Sequence, residues 1–185
     1  MCSKIGLSFQ RLVGRMIAVG LAGLVVLMAA CSDQNTNPAI PPAPTLSADA
    51  VVDLQVVTGQ VVFIPAYSEV ISIPSPGLQL STTLAIHNTD PDDPIIVTSV
   101  RYYDTDGNLV REYVDSPSEL RPLATTGFVV PADDNSGGWG ANFLVEWVAE
   151  QPVYEPVIEA VMVSTRGTEG VSFISEGRVV SEQRP

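Results

Sequence analysis

The sequence has one lysine, one histidine and two cysteines in 185 residues, and each shortage removes a class of chemistry. Lys4 is the single lysine and stands close to the N-terminus, so the bulk of the chain has no amine for a Schiff base. Cys2 and Cys31 both precede residue 32, which leaves everything after them without a thiol. Disulfides, cysteine nucleophiles and cysteine-ligated zinc are thereby excluded from the rest of the protein. Helical periodicity is missing as well: no window longer than about ten residues sustains the 3.6-residue repeat of an amphipathic helix. Cationic charge is scarce, with nine basic residues against 21 acidic ones.

What is present begins with a secretory pattern. Lys4, Arg11 and Arg15 precede an uncharged apolar run from Met16 to Ala30. Its fifteen residues fall short of the roughly 20 needed to cross a bilayer and match the apolar core of a signal peptide. The run ends in Leu27-Met28-Ala29-Ala30-Cys31, which resembles the lipobox of bacterial lipoproteins, although Met28 replaces the usual Leu, Val or Ile. The resemblance implies that the Cys31 sulfur takes a diacylglyceryl group and that signal peptidase II cuts before it. Residues 1–30 are then the signal and Cys31 the lipidation site. Two or three acyl chains, at about 0.8 kcal/mol per buried methylene, suffice for stable attachment to a membrane. If the host is Gram-negative, Ser32 after the cysteine resembles the pattern that permits export to the periplasmic face of the outer membrane.

All 21 acidic residues lie after Cys31 and three of the nine basic ones before it, so the processed chain carries 21 acids against six bases, a net −15. Such a surface repels phosphate backbones, which argues against nucleic acid as a partner. Residues 31–49 contain four prolines and almost no large apolar side chain, the composition of a disordered tether. The stretch after Cys31 spans about 25 Å as a coil and about 55 Å if proline keeps it extended. Residues 50–185 remain as one domain.

That domain reads as strands. Leu78, Leu80, Thr82, Leu84 and Ile86 alternate with more polar residues, and Phe143, Val145 and Trp147 do the same in a later run. Strands are expected at 52–57, 60–65, 69–73, 78–87, 95–103, 109–114, 125–130, 142–149, 157–165 and 171–180. The fold class is all-β. Without crossover helices these must pair antiparallel, which predicts an immunoglobulin-like β-sandwich, with a small β-barrel as the alternative.

Candidate sites are few. His87 has no nucleophile motif near it in sequence. Asp104-Thr105-Asp106-Gly107-Asn108 has the opening of a calcium loop, but Leu109 to Val114 reads as strand where further ligands would be needed, so the segment is assigned as a hairpin turn. Asp92 and Asp93 in one loop and Asp133 and Asp134 in another form a candidate Ca²⁺ site if the fold brings the two loops together. No other cofactor is indicated. Trp147 alternates with core positions, whereas Trp139 stands in Gly137-Gly138-Trp139-Gly140, where no periodicity assigns it to the interior. Trp139 is therefore the candidate contact residue for an envelope protein or glycan.

The segments LSTTLAIHNTD, VRYYDTDGNLV and GANFLVEW together resemble an uncharacterised bacterial lipoprotein family, domain of unknown function 3124. The resemblance covers most of residues 58–180, with GANFLVEW at 140–147 its most specific part. It implies an envelope-anchored domain and brings no activity or catalytic residue. The expectation is a membrane-attached, non-enzymatic binding or structural module. The alternative is a hydrolase that acts on an envelope polymer through acids such as Glu146, Glu150 and Asp104, which requires the fold to gather them in one cleft.

Overall fold

A computed structural model describes residues 44–47, 54–73, 77–164 and 170–183. The expected signal segment, Cys31 and the expected tether through residue 43 lie outside the described residues. The strands in chain order are β1 (Thr58–Pro65), β2 (Glu69–Val70), β3 (Leu78–Gln79), β4 (Ser81–His87), β5 (Ile95–Tyr103), β6 (Leu109–Glu112), β7 (Ser118–Leu120), β8 (Thr125–Val130), β9 (Asn142–Ala149), β10 (Val157–Ser164), β11 (Val171–Glu176) and β12 (Arg178–Gln183). One sheet runs β12-β1-β9-β5-β6, with β7 also paired to β5, and the other runs β11-β10-β4-β8. β2 and β3 form a small ribbon of their own. Every pairing is antiparallel.

The alternating runs become half-buried strands because successive side chains point to opposite faces. In β4, Thr82, Leu84 and Ile86 turn inward, and in β9 Phe143, Val145 and Trp147 do so while Leu144 and Glu146 face outward. β5 departs from strict alternation. Its pairing with β9 shifts register between Val97 and Ser99, and this bulge at Thr98 moves the inward set from Ile95 and Val97 to Val100 and Tyr102. Val62 and Ile64 of β1, Ile158 and Met162 of β10, and Val130 of β8 complete one core between the sheets. Each such side chain contributes about 1.5–3 kcal/mol by leaving water.

The two sheets keep separate edges and do not close, so the architecture is the expected β-sandwich and not the barrel. They are joined covalently at Gly177, where the chain leaves β11 and starts β12. The Gly177 N–H donates to the Ile158 carbonyl at 2.8 Å, and an added Cβ would stand 2.7 Å from that carbonyl oxygen and 2.7 Å from Val62 Cγ1. The run expected as one strand at 171–180 is therefore two.

Other boundaries also move. Residues 54–57 of the expected first strand are not in a ladder, and pairing begins at Thr58. Segment 69–73 shortens to Glu69–Val70, and β7 lies where no strand was expected. The tether is partly bound: Pro44 O accepts from the Glu119 N–H at 3.0 Å and the Ser118 hydroxyl at 3.0 Å, while the Leu46 N–H donates to Pro117 O at 2.8 Å.

Antiparallel pairing also fixes where the loops go. Thr82 lies opposite Val130 and His87 opposite Thr125, so the loop after His87 and the loop after Val130 sit at opposite ends of β4. Likewise Pro65 lies opposite Asn142 and Thr58 opposite Ala149, so Trp139 precedes the start of β9 while the chain reaches β1 beside its end.

Candidate functional site

Trp139 stands in a single 3₁₀ turn, Gly138–Gly140, and is 55% exposed. The glycines around it are there because nothing larger fits. A Cβ on Gly137 would fall 2.0 Å from the Tyr102 hydroxyl oxygen and 2.6 Å from Ala141 Cβ, and one on Gly138, whose φ is +71°, would fall 2.7 Å from Thr105 Oγ1. Close approach lets neighbours clamp the loop. The Thr105 hydroxyl accepts from the Gly140 N–H at 2.9 Å and donates to Gly137 O at 3.0 Å, and the Thr105 N–H donates to the same carbonyl at 2.9 Å. From the other side, the Ser68 N–H reaches Gly138 O at 3.1 Å. Beneath the turn, Tyr102 is buried and shares a 2.8 Å hydrogen bond with the Ser68 hydroxyl, and burial pushes its phenol pKa up. A large aromatic is thus held toward water by a turn with little freedom to move.

Trp139 opens onto a groove of about 510 Å³, whose walls are Tyr67, Glu69, Val70 and Ile71 on one side and Phe173, Ile174 and Ser175 on the other. Tyr67 and Phe173, from the two walls, meet with ring centroids 6.0 Å apart. Ile71 and Ile174, both lining residues, are each 57% exposed, so the groove presents apolar surface to water. Contiguous exposed apolar surface of this kind marks binding sites more often than chance scatter does. The sequence singled out Trp139 from its flanking glycines. It missed Tyr67, Ile71, Phe173 and Ile174, because they come from distant segments and are indistinguishable from core residues by pattern.

The four acidic candidates are not brought together. Asp92 and Asp93 follow β4 at one end, and Asp133 and Asp134 follow β8 at the other. The expectation of a shared Ca²⁺ site fails on convergence, since seven residues of β4 at about 3.3 Å each separate the loops. Local contacts already engage the central acids. Asp134 accepts from Ser136 and from Arg111 Nη2 at 2.9 Å, and the Ser136 hydroxyl above all holds its carboxyl below the usual carboxylate range. In the other loop Asp90 organises the turn: Oδ1 accepts from the N–H groups of Asp92 and Asp93, each at 2.9 Å, and Oδ2 from that of Tyr154 at 3.1 Å. These donors, the Asp92 N–H first, lower its pKa. Among the described residues no group of three or more His, Cys, Asp or Glu is placed to hold a metal ion.

Asp104 closes the expected hairpin, accepting the N–H groups of Asp106 at 2.9 Å and Asn108 at 2.8 Å, while Gly107 takes a φ of +83°. Glu146 is ion-paired with Arg101, and Glu150 accepts from the Gln55 N–H at 2.9 Å. Asp104 follows Tyr103, opposite the start of β9, whereas Glu150 follows its end, so the three acids proposed for hydrolysis share no cleft. His87 lies between Thr125, its direct cross-strand partner on β8 and 2.9 Å from its Nδ1, and Glu159 of β10, which pairs with Ala85 and so reaches His87 Nε2 only diagonally, at 4.0 Å. This order of groups is that of a hydrolytic triad, but it lies on the outer face of a sheet and the acid contact is too long for a hydrogen bond.

Fold and site together define an antiparallel β-sandwich with an apolar groove at one end and no assembled catalytic set among the described residues. The chain belongs to the family of proteins of unknown function DUF3124, whose model matches residues 59–180. No curated protein matches it. Among solved structures, the crystal structure of Thermotoga maritima 1070 is similar over 64% of this chain and 92% of that one, at 13% identity and a TM-score of 0.40.

Proposed function

We propose that the protein is a lipoprotein attached to a bacterial membrane through lipid on Cys31, and that its sandwich is a non-enzymatic binding module of the cell envelope. Attachment is supported by Leu27–Cys31 after an uncharged run too short to span a bilayer. The binding role is carried by one observation: Trp139 is fixed in an exposed position at the mouth of an apolar groove. A side chain immobilised before a partner arrives loses little entropy when it binds, and tryptophan is the residue most enriched at energetic hot spots.

The two halves have separate tests. Cys31→Ser should abolish incorporation of labelled palmitate and leave an uncleaved or differently cleaved precursor; palmitate labelling equal to wild type would refute the anchor. For the groove, a photo-crosslinking amino acid at Ile71 in the producing cell should capture an envelope molecule, and Trp139→Ala should remove that product. The same probe at exposed Tyr154, at the other end of β9, is the control. Products from position 154 alone would refute the groove as the contact site.

A further inference from the structure

The shape of the groove says more about its occupant than its volume does. Phe173, Ile174 and Ser175 are consecutive in β11, yet all three line it, as do the consecutive Glu69, Val70 and Ile71 opposite. Successive side chains of a strand point to opposite faces, so a groove touched by three in a row runs along the edge of the strand and not over one face. β11 is the last strand of its sheet, and β2 pairs only with β3 among the described residues. The groove therefore runs along the free edge of β11, whose outward N–H and C=O groups have no strand beside them among the described residues, with residues 69–71 as its opposite wall.

Edge strands are commonly protected by lysine, proline or an inward charge. From Val171 to Ser175 β11 has none of these, and the exposed Val171 and Ile174 make its edge adhesive instead. Charge then narrows the occupant. Glu69 lies in the groove wall and Glu176 ends β11, and neither carboxylate has a partner among the described residues. No basic side chain lines the slot, and the processed chain carries 21 acids against six bases. That excess disfavours a second copy of the same chain and favours a cation-bearing partner.

We propose that the groove receives an extended segment of another protein with alternating apolar and cationic side chains, which adds as a strand to the edge of β11 and seats an apolar side chain against Trp139. This rests on the reading of Trp139 as the binding contact. Backbone pairing supplies affinity, alternate side chains supply selection, and the mode is strand addition to a sheet edge.

The test uses the full-length lipidated protein in a non-ionic detergent and follows tryptophan emission, in which buried Trp147 is a constant background. The probe is a capped octapeptide of alternating valine and lysine. Saturable binding is expected, at least tenfold weaker for the same peptide N-methylated at every second amide, for the valine–glutamate peptide, and for the Ile174→Lys variant. Ile174 is exposed, so that variant should melt like wild type. Absence of saturation up to millimolar peptide, or equal affinity for the N-methylated peptide, overturns strand addition. An emission response to phosphatidylglycerol vesicles or to a chitin hexasaccharide, with none to peptide, overturns it in favour of lipid or sugar. Self-association that Trp139→Ala removes overturns it in favour of a second copy. Failure here is separable from failure of the binding reading: a Trp139-dependent crosslink from position 71 that the peptide does not compete away leaves that reading standing and removes only this one.

Discussion

At the end of β4 that follows His87, a buried asparagine amide ties the loops together; at the end that precedes Ser81, closely packed glycines do, held by hydrogen bonds with Thr105. The first end is centred on Asn88, whose buried amide donates to Asp93 O at 2.9 Å, Leu120 O at 3.1 Å and Arg121 O at 3.2 Å, while its Oδ1 accepts from the Asp90 N–H at 3.0 Å. At the second end Gly137, Gly138 and Gly140 press against Tyr102 and Thr105 and leave Trp139 outside. Polar staples satisfy buried backbone groups and so serve stability. Packing a loop that tightly around an exposed aromatic does nothing for burial of that aromatic, and the expenditure makes sense as preparation for a partner.

The largest effect should come from breaking the second end. Gly137→Ala places a methyl 2.0 Å from the Tyr102 oxygen and 2.6 Å from Ala141 Cβ, both on rigid neighbours. Overpacking of this kind costs about 3 kcal/mol, which is on the order of 10 °C in melting temperature. Thermal unfolding followed by circular dichroism checks it. A loss under about 1 kcal/mol would show that the turn is looser than its contacts imply. Next comes Asn88→Ala at the first end, which leaves buried carbonyls without a donor and should cost about 2 kcal/mol by urea denaturation. It should leave the emission of Trp139 unchanged, since that residue is at the other end, and a change in both would make the two ends one cooperative unit.

Acid acts on both ends, since Asp90 lies at the first and Asp104 and Asp134 at the second. Asp90, Asp104 and Asp134 all have lowered pKa values, Asp90 chiefly through the Asp92 N–H, Asp104 through the Asn108 side chain and Asp134 through Ser136. A depressed folded pKa contributes stability that is present above the unfolded value, about 3.9, and is lost as pH falls through the folded one. The melting temperature should therefore hold from pH 7 to about pH 5 and fall below about pH 4. Asp90→Asn should flatten that fall and Asp92→Asn should not, because Asp90 receives the backbone donors and Asp92 supplies one.

Much of this was legible before any coordinates. β4 and β9 declared themselves by alternation, and the hairpin by Asp-Gly-Asn between two runs. β7 could not be read, since three residues after Pro117 with one buried side chain, Leu120, have no period. The division at Gly177 was visible only as a glycine inside an apolar run, and the close approach of Ile158 and Val62 that requires it is a tertiary fact. The groove was half legible. Glycines marked Trp139, but its facing wall comes from β11, whose proximity to residues 67–71 is a contact between separate sheets that no local pattern records. The same limit misplaced the acids, because sequence shows which loops are acidic and only topology shows that they part.

A smaller effect tests strain at the polar end. Leu123 has a φ of +55° with its side chain 67% exposed, and its N–H donates to Asp90 O at 3.1 Å. A leucine in the left-handed region costs about 1 kcal/mol, which asparagine tolerates better. Leu123→Asn should raise stability by about 0.5–1 kcal/mol, read as a shift in urea midpoint at constant slope. A loss instead would mean that the exposed leucine makes contacts that matter more than its backbone strain.

The smallest expected effect is that of calcium, and its size follows from how the acids are divided. A calcium ion takes six to eight oxygens, with several carboxylates on one site. Here Asp92 and Asp93 are separated by the length of β4 from Asp133 and Asp134, and within each loop a carboxylate is already committed, Asp90 to three backbone N–H groups and Asp134 to Arg111 and Ser136. An ion bound only by the native state at a hundredfold excess over its Kd would add about 2.7 kcal/mol, several degrees in a domain of this size. No such rise is expected. At matched ionic strength the melting temperatures of the full chain in EDTA, millimolar calcium and millimolar magnesium should coincide. A small equal rise with both ions would report screening of the chain's net negative charge, −12 over its full length, in proportion to salt and not to the identity of the cation. A rise with calcium alone that Asp92→Asn removed and Asp133→Asn did not would place a site at the polar end by itself, assembled from backbone carbonyls as well as carboxylates, and would turn that end from a staple into a second binding surface.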